Sequence, residues 1–567
     1  MKKSILFLLL IASQMFLQAQ SDLEAIRSEF KERITKTMKK SKVVGASVAV
    51  VSSEGILWID NFGYEDVEDE KPVTSETIFG IGSVTKVLTS AAVMQLAERD
   101  KLDIDNPLSQ YLPSFQMQDY SDGVTPQNVM THHSGLPSDI FKGMFSEQPE
   151  DYKCLVNYIN DEYMAGTPNQ IRAYSNPGYT LLGHMIAEVS GMEYPKYIET
   201  NILQPLGMNN TEFNALEKAS KTYDGKGKFQ SDVNLRDTPA GGLFTSSKDL
   251  SKFLQAFLSQ SQDLLKSNTY QQILEYQHIN TPLNFGDRYA LGWSMTSRPH
   301  AGDIYYHTGT TLYFNAAMAF SPKADVGVII LTNSARGRSV YKEVHTIIDK
   351  VAESKGLPKI ESEQEEAMGS KDRIKVAPES LDQYTGIYAA PGAYIDVYRK
   401  NKKLFMKLQG LRLELIPVEN NQFIPKVILL HLIPIRLGDQ RVMFEEVDGY
   451  PLMTSLEEGN PKELIAARFE KQEIPQAWKS RTGDYEIVNP LPGEIPFFGS
   501  FSITEKDDLL VFSFKTTTDG QNIEMVMDFI NDDRAKVAGL GRYGGQSIIY
   551  KDGIINAFGN ELKKINE

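Results

Sequence analysis

"IFGIGSVTKVLTSAAVMQLAERD", residues 78–100, reads as the start of a buried helix with one residue out of place. Between Thr77 and Ala97 the single charged side chain is Lys86. An ammonium among apolar neighbours is costly unless it is paired or has chemistry to perform. Ser83 stands three residues before it, one turn away on the same helix face. Because it follows Gly80-Ile81-Gly82, it falls at the helix start, where unpaired backbone N–H groups and the helix dipole favour developing negative charge. A serine hydroxyl is a weak nucleophile until a base takes its proton, and a desolvated lysine can be that base. The same spacing also arises where a Ser-capped helix carries a solvated lysine, so further motifs must decide between the two readings.

Outward from this helix, "VVGASVAVVSSEGILWIDNFGYED" (43–66) predicts two strands joined at Ser52-Ser53-Glu54-Gly55. Helical stretches follow, among them "PLSQYLPSF", "TPQNVMTHHSGLP" and "GYTLLGHMIAEVSG". Strand-like runs then return as "YALGWSM", "IYYHTG", "FNAAMAFSP" and "VGVIILTNS", and "RSVYKEVHTIIDKVAES" reads as an amphipathic helix. Strands at both ends with helices between predict an α/β (α+β) domain. In it, helices flank one antiparallel sheet built from both termini, and a helical lobe is inserted between.

The chain has 567 residues, too many for one core. The helical and sheet region is expected over 20–360 and a charged linker over 361–380. Beyond it the pattern changes to short alternating segments. "YTGIYAAP" near 384 is echoed by "RTGDYEIV" near 481, and "KKLFMKLQG" by "DDLLVFSFK". Two small β-rich domains, sandwiches or barrels (lipocalin-like among the latter), are therefore expected, at 381–472 and 473–567. "VILLHLIPI" (427–435) is short and contains Pro434, so it reads as buried strand rather than a membrane segment.

A formal charge of −15 argues against nucleic acid or an anionic membrane as partner. Lys2-Lys3, the apolar run Ile5–Ala12 and Leu17-Gln18-Ala19 predict a secretory signal peptide over 1–19, hence a periplasmic or secreted protein with no membrane span after cleavage. Cys154 is the only cysteine, which excludes an internal disulfide and a Cys-based zinc site; beside Leu155 and Val156 it reads as a packed apolar residue. His132 and His133 invite a metal reading. With no third ligand at suitable spacing they read as structural, as do His184, His278 and His345, and no metal or other cofactor is expected.

Two further motifs lie downstream: Tyr174-Ser175-Asn176, and His307-Thr308-Gly309 entering a strand-like run. With Ser83-Val84-Thr85-Lys86 they resemble the three ordered motifs of the serine β-lactamase and penicillin-binding-protein superfamily. The match is to the branch that includes class C β-lactamases, D-alanyl-D-alanine carboxypeptidases, D-aminopeptidases and esterases. "THHSGLP" (131–137), "PLGM" (205–208), "PAGGLFTSSKDLSKF" (239–253) and "YALGW" (289–293) agree with it.

The resemblance implies that Ser83 forms an acyl-enzyme, with Lys86 and Tyr174 dividing the proton transfers. It implies that Asn176 holds the substrate amide and that the backbone N–H groups of Ser83 and Thr310 form the oxyanion hole. His307, Thr308 and Gly309 would line the substrate site. Many β-lactamases carry lysine where this chain has His307, a residue largely uncharged near neutral pH, so substrate-carboxylate recognition should be weaker or pass to another cation. D-aminopeptidases and some esterases of the family share the H-x-G form, and the D-aminopeptidases also append two β-barrel domains. The expected activity is hydrolysis of a D-amino-acid-containing peptide, peptidoglycan-derived peptides among the candidates. A carboxylesterase, a β-lactamase and a non-catalytic cell-wall-binding protein are the alternatives. Oligomeric state is not legible in the sequence.

Overall fold

In the computed structural model, which describes residues 2–119, 122–360, 372–429, 433–436, 440–457, 462–495, 498–517 and 520–565, the two strands read at 43–66 are β1 (Gly45–Ser52) and β2 (Gly55–Asp66). They pair antiparallel, with Val48 opposite Asp60. Beside them run β3 (Lys71–Pro72), β4 (Arg288–Ala290), β5 (Trp293–Arg298), β6 (Gly302–Thr310), β7 (Asn315–Ser321) and β8 (Val326–Thr332). The sheet order is β4-β5-β6-β7-β8-β1-β2-β3, so the earliest strands pair with the latest, as the pattern predicts: Val48 lies opposite Ile330.

β1, β7 and β8 are buried along their whole length, because helices cover both faces. On one face, α1 (Lys2–Ser41) and α5 (Val344–Ser354) pack together. Ile26, Phe30, Ile34 and Met38, spaced one turn apart, bury against Ile347, Ile348 and Val351. Each contributes roughly 1.5–3 kcal/mol of transfer free energy. Arg27 clamps the helix to Asp60 of β2 through two bonds of 3.0 Å. On the other face lies α4 (Ser247–Ser259), with Ser247 Oγ 2.6 Å from Ser47 Oγ of β1. The stretch read as one helix over 338–354 is two, Arg338–Tyr341 and α5. Residues 2–19 of the expected signal peptide begin the long helix α1. Among the described residues no helix is long and apolar enough to cross a membrane.

By its internal contacts the chain divides into two units: residues 1–103, 186–275 and 289–361, and residues 104–185, 276–288 and 362–567. The sheet belongs to the first and both barrels to the second. The first barrel closes eight antiparallel strands between Gly386–Ala390 and Glu463–Phe469, whose Ile387 and Phe469 pair. The second runs from Gly483–Ile487 to Asn560–Lys564 and closes through Tyr485 and Lys564. Of the expected linker, 361–371 lies outside the described residues, and its end already belongs to the barrel, since the 3-10 helix Pro378–Tyr384 buries Leu381. In "VILLHLIPI" the strands Gln422–Leu429 and Ile433–Arg436 are present, and 430–432 lie outside the described residues.

The echoed openings share their bonding. Thr385 Oγ1 donates to Asp382 O (2.8 Å) and Tyr388 OH to Tyr384 O (3.1 Å). At the matching positions Thr482 Oγ1 donates to Lys479 O (3.0 Å), and Tyr485 OH to Arg481 O. Leu381 and Trp478 plug equivalent places and are both buried.

Within the second unit the segment 137–146 docks on the second barrel. Phe141 enters its aromatic core, 4.5 Å from Phe498 and 5.8 Å from Phe558 between ring centroids. Nearby, Ser547 Oγ donates to the buried Glu162 carboxylate. Burial pushes Glu162 up to about 7, against 4.5 as its ordinary value. The folded protein therefore keeps this proton over a range where the unfolded chain has lost it. The contribution is fully present below about pH 4.5 and lost as pH rises through 7, an effect of about 3 kcal/mol. Glu162→Gln removes the ionisation while keeping an acceptor for Ser547. Its melting temperature is expected to exceed that of the wild type at pH 8 and not at pH 5, by calorimetry at both values.

Candidate active site

Ser83 sits in a 3-10 turn, Gly82–Val84, that runs directly into α2 (Thr85–Ala97). From Thr85 to Leu96 every residue of α2 is buried, as an all-round apolar helix requires. Lys86 is fully buried, whereas Ser83 is only half-buried. Lys86 Nζ lies 3.2 Å from Ser83 Oγ and donates to Ala240 O at 2.7 Å. The cost of burying this amine is thus met by oxygens rather than by solvent. Ala240 belongs to the "PAGG" stretch, folded as the short helix Thr238–Gly241. Thr89 Oγ1 of α2 ties it down by donating to Pro239 O at 2.7 Å.

The third motif lies on β6 against the same turn. A Cβ built at Gly309 would stand 1.9 Å from Ile81 O and 2.9 Å from Ser83 N, and one at Gly82 would stand 2.7 Å from Thr310 N. The absence of a side chain at 309 is what lets the strand edge meet the turn, bringing Ser83 and Thr310 backbones together. His307 is buried, and its Nδ1 donates to Thr308 O at 2.8 Å, which places a proton on Nδ1. Asp232 pins the loop after Thr310: its buried carboxylate accepts from Thr311 Oγ1 (2.5 Å), Tyr313 N (3.0 Å) and Phe314 N (3.2 Å). Burial holds this carboxyl above its usual range despite those donors.

The second motif is organised within the other unit by residues 131–139. Tyr174 packs against His132 with ring centroids 4.1 Å apart and the planes tilted by 36°. Ser175 N donates to His132 Nδ1 (3.2 Å) and Ser175 Oγ to Pro137 O (2.7 Å). Asn176 opens α3 (Asn176–Ser190), and its Nδ2 donates to Asp139 Oδ1 at 2.6 Å. The other histidines have packing partners too. His133 stacks on His278 at 3.8 Å, and burial drives it down to about 3. His345 packs edge-on to Tyr306 and is lowered by burial to about 4, and His184 lies against Tyr152. Among the described residues no three His, Cys, Asp or Glu side chains gather as a metal site. Cys154 is half-buried at the end of a 3-10 turn.

Asp232, Asp139 and Arg542 escaped the sequence reading. Asp139 and Arg542 are 403 positions apart, and the one local signal for the latter is the glycine-dense "GLGRYGG" (539–545) around it.

A helix-flanked antiparallel sheet with a serine and a buried lysine one turn apart defines a class of serine hydrolases. Residues 30–353 match the Beta-lactamase family, and the chain belongs to it. Among its relatives is Protein flp of Staphylococcus aureus (strain N315), 27% identical over 311 residues; the match covers 52% of this chain and 61% of that protein. Penicillin-binding protein 4* of Bacillus subtilis (strain 168) is 28% identical over 409 residues, covering 66% and 86% respectively. Of solved structures, SurE with D-Leu superposes with a TM-score of 0.56 at 21% identity, covering 78% of this chain and all of that one. The octameric penicillin-binding protein homologue from Pyrococcus abyssi gives 0.52 at 22%, covering 77% and 99%.

Proposed function

We propose that this protein is an exported hydrolase of D-amino-acid-containing peptides working through an acyl-Ser83 intermediate. The observation that carries the reading is the fully buried Lys86 amine 3.2 Å from Ser83 Oγ. Lys86 takes the hydroxyl proton as Oγ bonds to the substrate carbonyl carbon. The proton passes, with Tyr174, to the departing amine, and a water then releases the acid and restores the serine. Asn176 holds the substrate amide. The backbone N–H groups of Ser83 and Thr310 carry the oxyanion, each such donor being worth roughly 3 kcal/mol. His307, Thr308 and Gly309 line the substrate side.

Support for a D-configured substrate comes from likeness. One relative is named as a penicillin-binding protein, and SurE was solved with D-Leu. His307 in place of lysine favours an aminopeptidase or esterase over a dedicated β-lactamase. The basic, apolar start of α1 supports export to the periplasm or beyond.

The test is a panel of D- and L-amino-acid amides with D-Ala-D-Ala peptides and short acyl esters. Release from D-amides at least tenfold faster than from L-amides is expected. Failure on every D-substrate with ester hydrolysis retained would make the protein a carboxylesterase. No turnover, with no labelling of Ser83 by a fluorophosphonate, would leave the non-catalytic reading.

A further inference from the structure

We propose that Arg542, on the second barrel, is a positioning residue that sets the amide orientation of Asn176 through Asp139; the inference rests on the hydrolase reading above. Arg542 lies on the loop between strands Arg534–Val537 and Ser547–Lys551. That loop is held on residues 138–139: Tyr543 N donates to Ser138 Oγ (2.9 Å) and Gln546 Nε2 to Asp139 O (2.6 Å). Gly545 permits the approach. Its φ is +78°, and a Cβ there would stand 1.7 Å from Ala165 O. Leu540 anchors the loop's other end in an apolar cluster with Ile171, Phe285 and Leu452.

Asp139 is buried and its two oxygens serve different partners. Oδ1 accepts from Asn176 Nδ2 at 2.6 Å, and Oδ2 accepts from Arg542 Nη2 at 3.0 Å. An ionised carboxylate only accepts, so the amide must turn its NH2 toward Asp139 and its carbonyl oxygen away. Arg542 holds in place the carboxylate that imposes this orientation. Without the guanidinium on Oδ2, a carboxylate 1% exposed is strongly destabilised where it stands and turns toward water, withdrawing Oδ1 from Asn176 Nδ2. Partial desolvation by the loop opposes the guanidinium, whose side chain is 45% exposed, and Asp139, Tyr543 and Tyr174 outweigh that and raise its pKa. It also stands 5.4 Å from the centroid of the Tyr174 ring, so one residue of the barrel lies beside both that ring and the carboxylate that holds Asn176.

A double-mutant cycle on the full chain tests this, read as kcat/KM on an amide substrate of the panel above. Arg542→Ala and Asn176→Ala are each expected to lower it about tenfold, with the double variant no slower than Asn176→Ala alone. Arg542→Lys, which keeps the charge, should recover part of the rate. Additive losses, or wild-type turnover in Arg542→Ala, would overturn the proposal. Should Arg542→Ala fail to fold, Asp139→Asn replaces it in the cycle with the same expectations. An unlabelled wild type would instead remove the hydrolase reading. The inference would then be judged on a crystal structure of the Arg542 variant, where an unaltered 2.6 Å Asn176–Asp139 contact overturns it.

Discussion

Lys86→Met is expected to lower turnover by about 10³-fold or more while leaving the protein at least as stable as the wild type. Both halves follow from one geometry. The amine is fully buried, with Ala240 O at 2.7 Å and Ser83 Oγ at 3.2 Å among its partners. Methionine fills most of the same volume without the amine, so the variant no longer has to desolvate one. What it loses is the group proposed above to accept the Ser83 proton. Ser83→Ala should lose as much activity, and the double variant little more, because the two act as one unit. Steady-state kinetics and calorimetry on the same samples decide it. A Lys86→Met protein that melts well below the wild type would make the lysine a structural residue, and retained activity would remove it from the chemistry.

Gly309→Ala is expected to destabilise the protein by about 2–4 kcal/mol and to reduce activity by about 10²-fold or more. The added methyl would lie 1.9 Å from Ile81 O, and backbone cannot step aside as a flexible side chain can. Either β6 or the Gly82–Val84 turn must move, and the Ser83 and Thr310 N–H groups part in both cases. Gly166→Ala is the control, since nothing lies within 4 Å of its Cβ position. Denaturant unfolding and turnover of the two variants are the measurements. Equal effects would show that close approach at 309 is unimportant.

Much of the molecule is legible in the sequence because its signals are local. Short apolar runs specify β1, β2 and β5–β8. The long stretch after Ser83 with Lys86 as its one charge specifies α2, and the repeated Thr-Gly-x-Tyr openings announce two similar β-rich domains. A serine and a lysine three apart must share a helix face once that helix forms, so their proximity was settled by spacing alone. The amphipathic reading of 338–354 was right about the buried face but missed the break before Val344, where no proline or glycine marks it.

The sequence by itself thus determined the class of fold, the order of the elements and the Ser83–Lys86 pair, since each rests on contacts within a few residues. The tertiary structure alone decided which oxygen receives the buried amine, that Asp232 braces the loop beside Thr310, and that a barrel arginine reaches Asp139. Those contacts join residues 79 to 403 positions apart. No periodicity encodes such pairings, because a buried carboxylate or amine selects its partner only after the backbone has closed and water has been excluded.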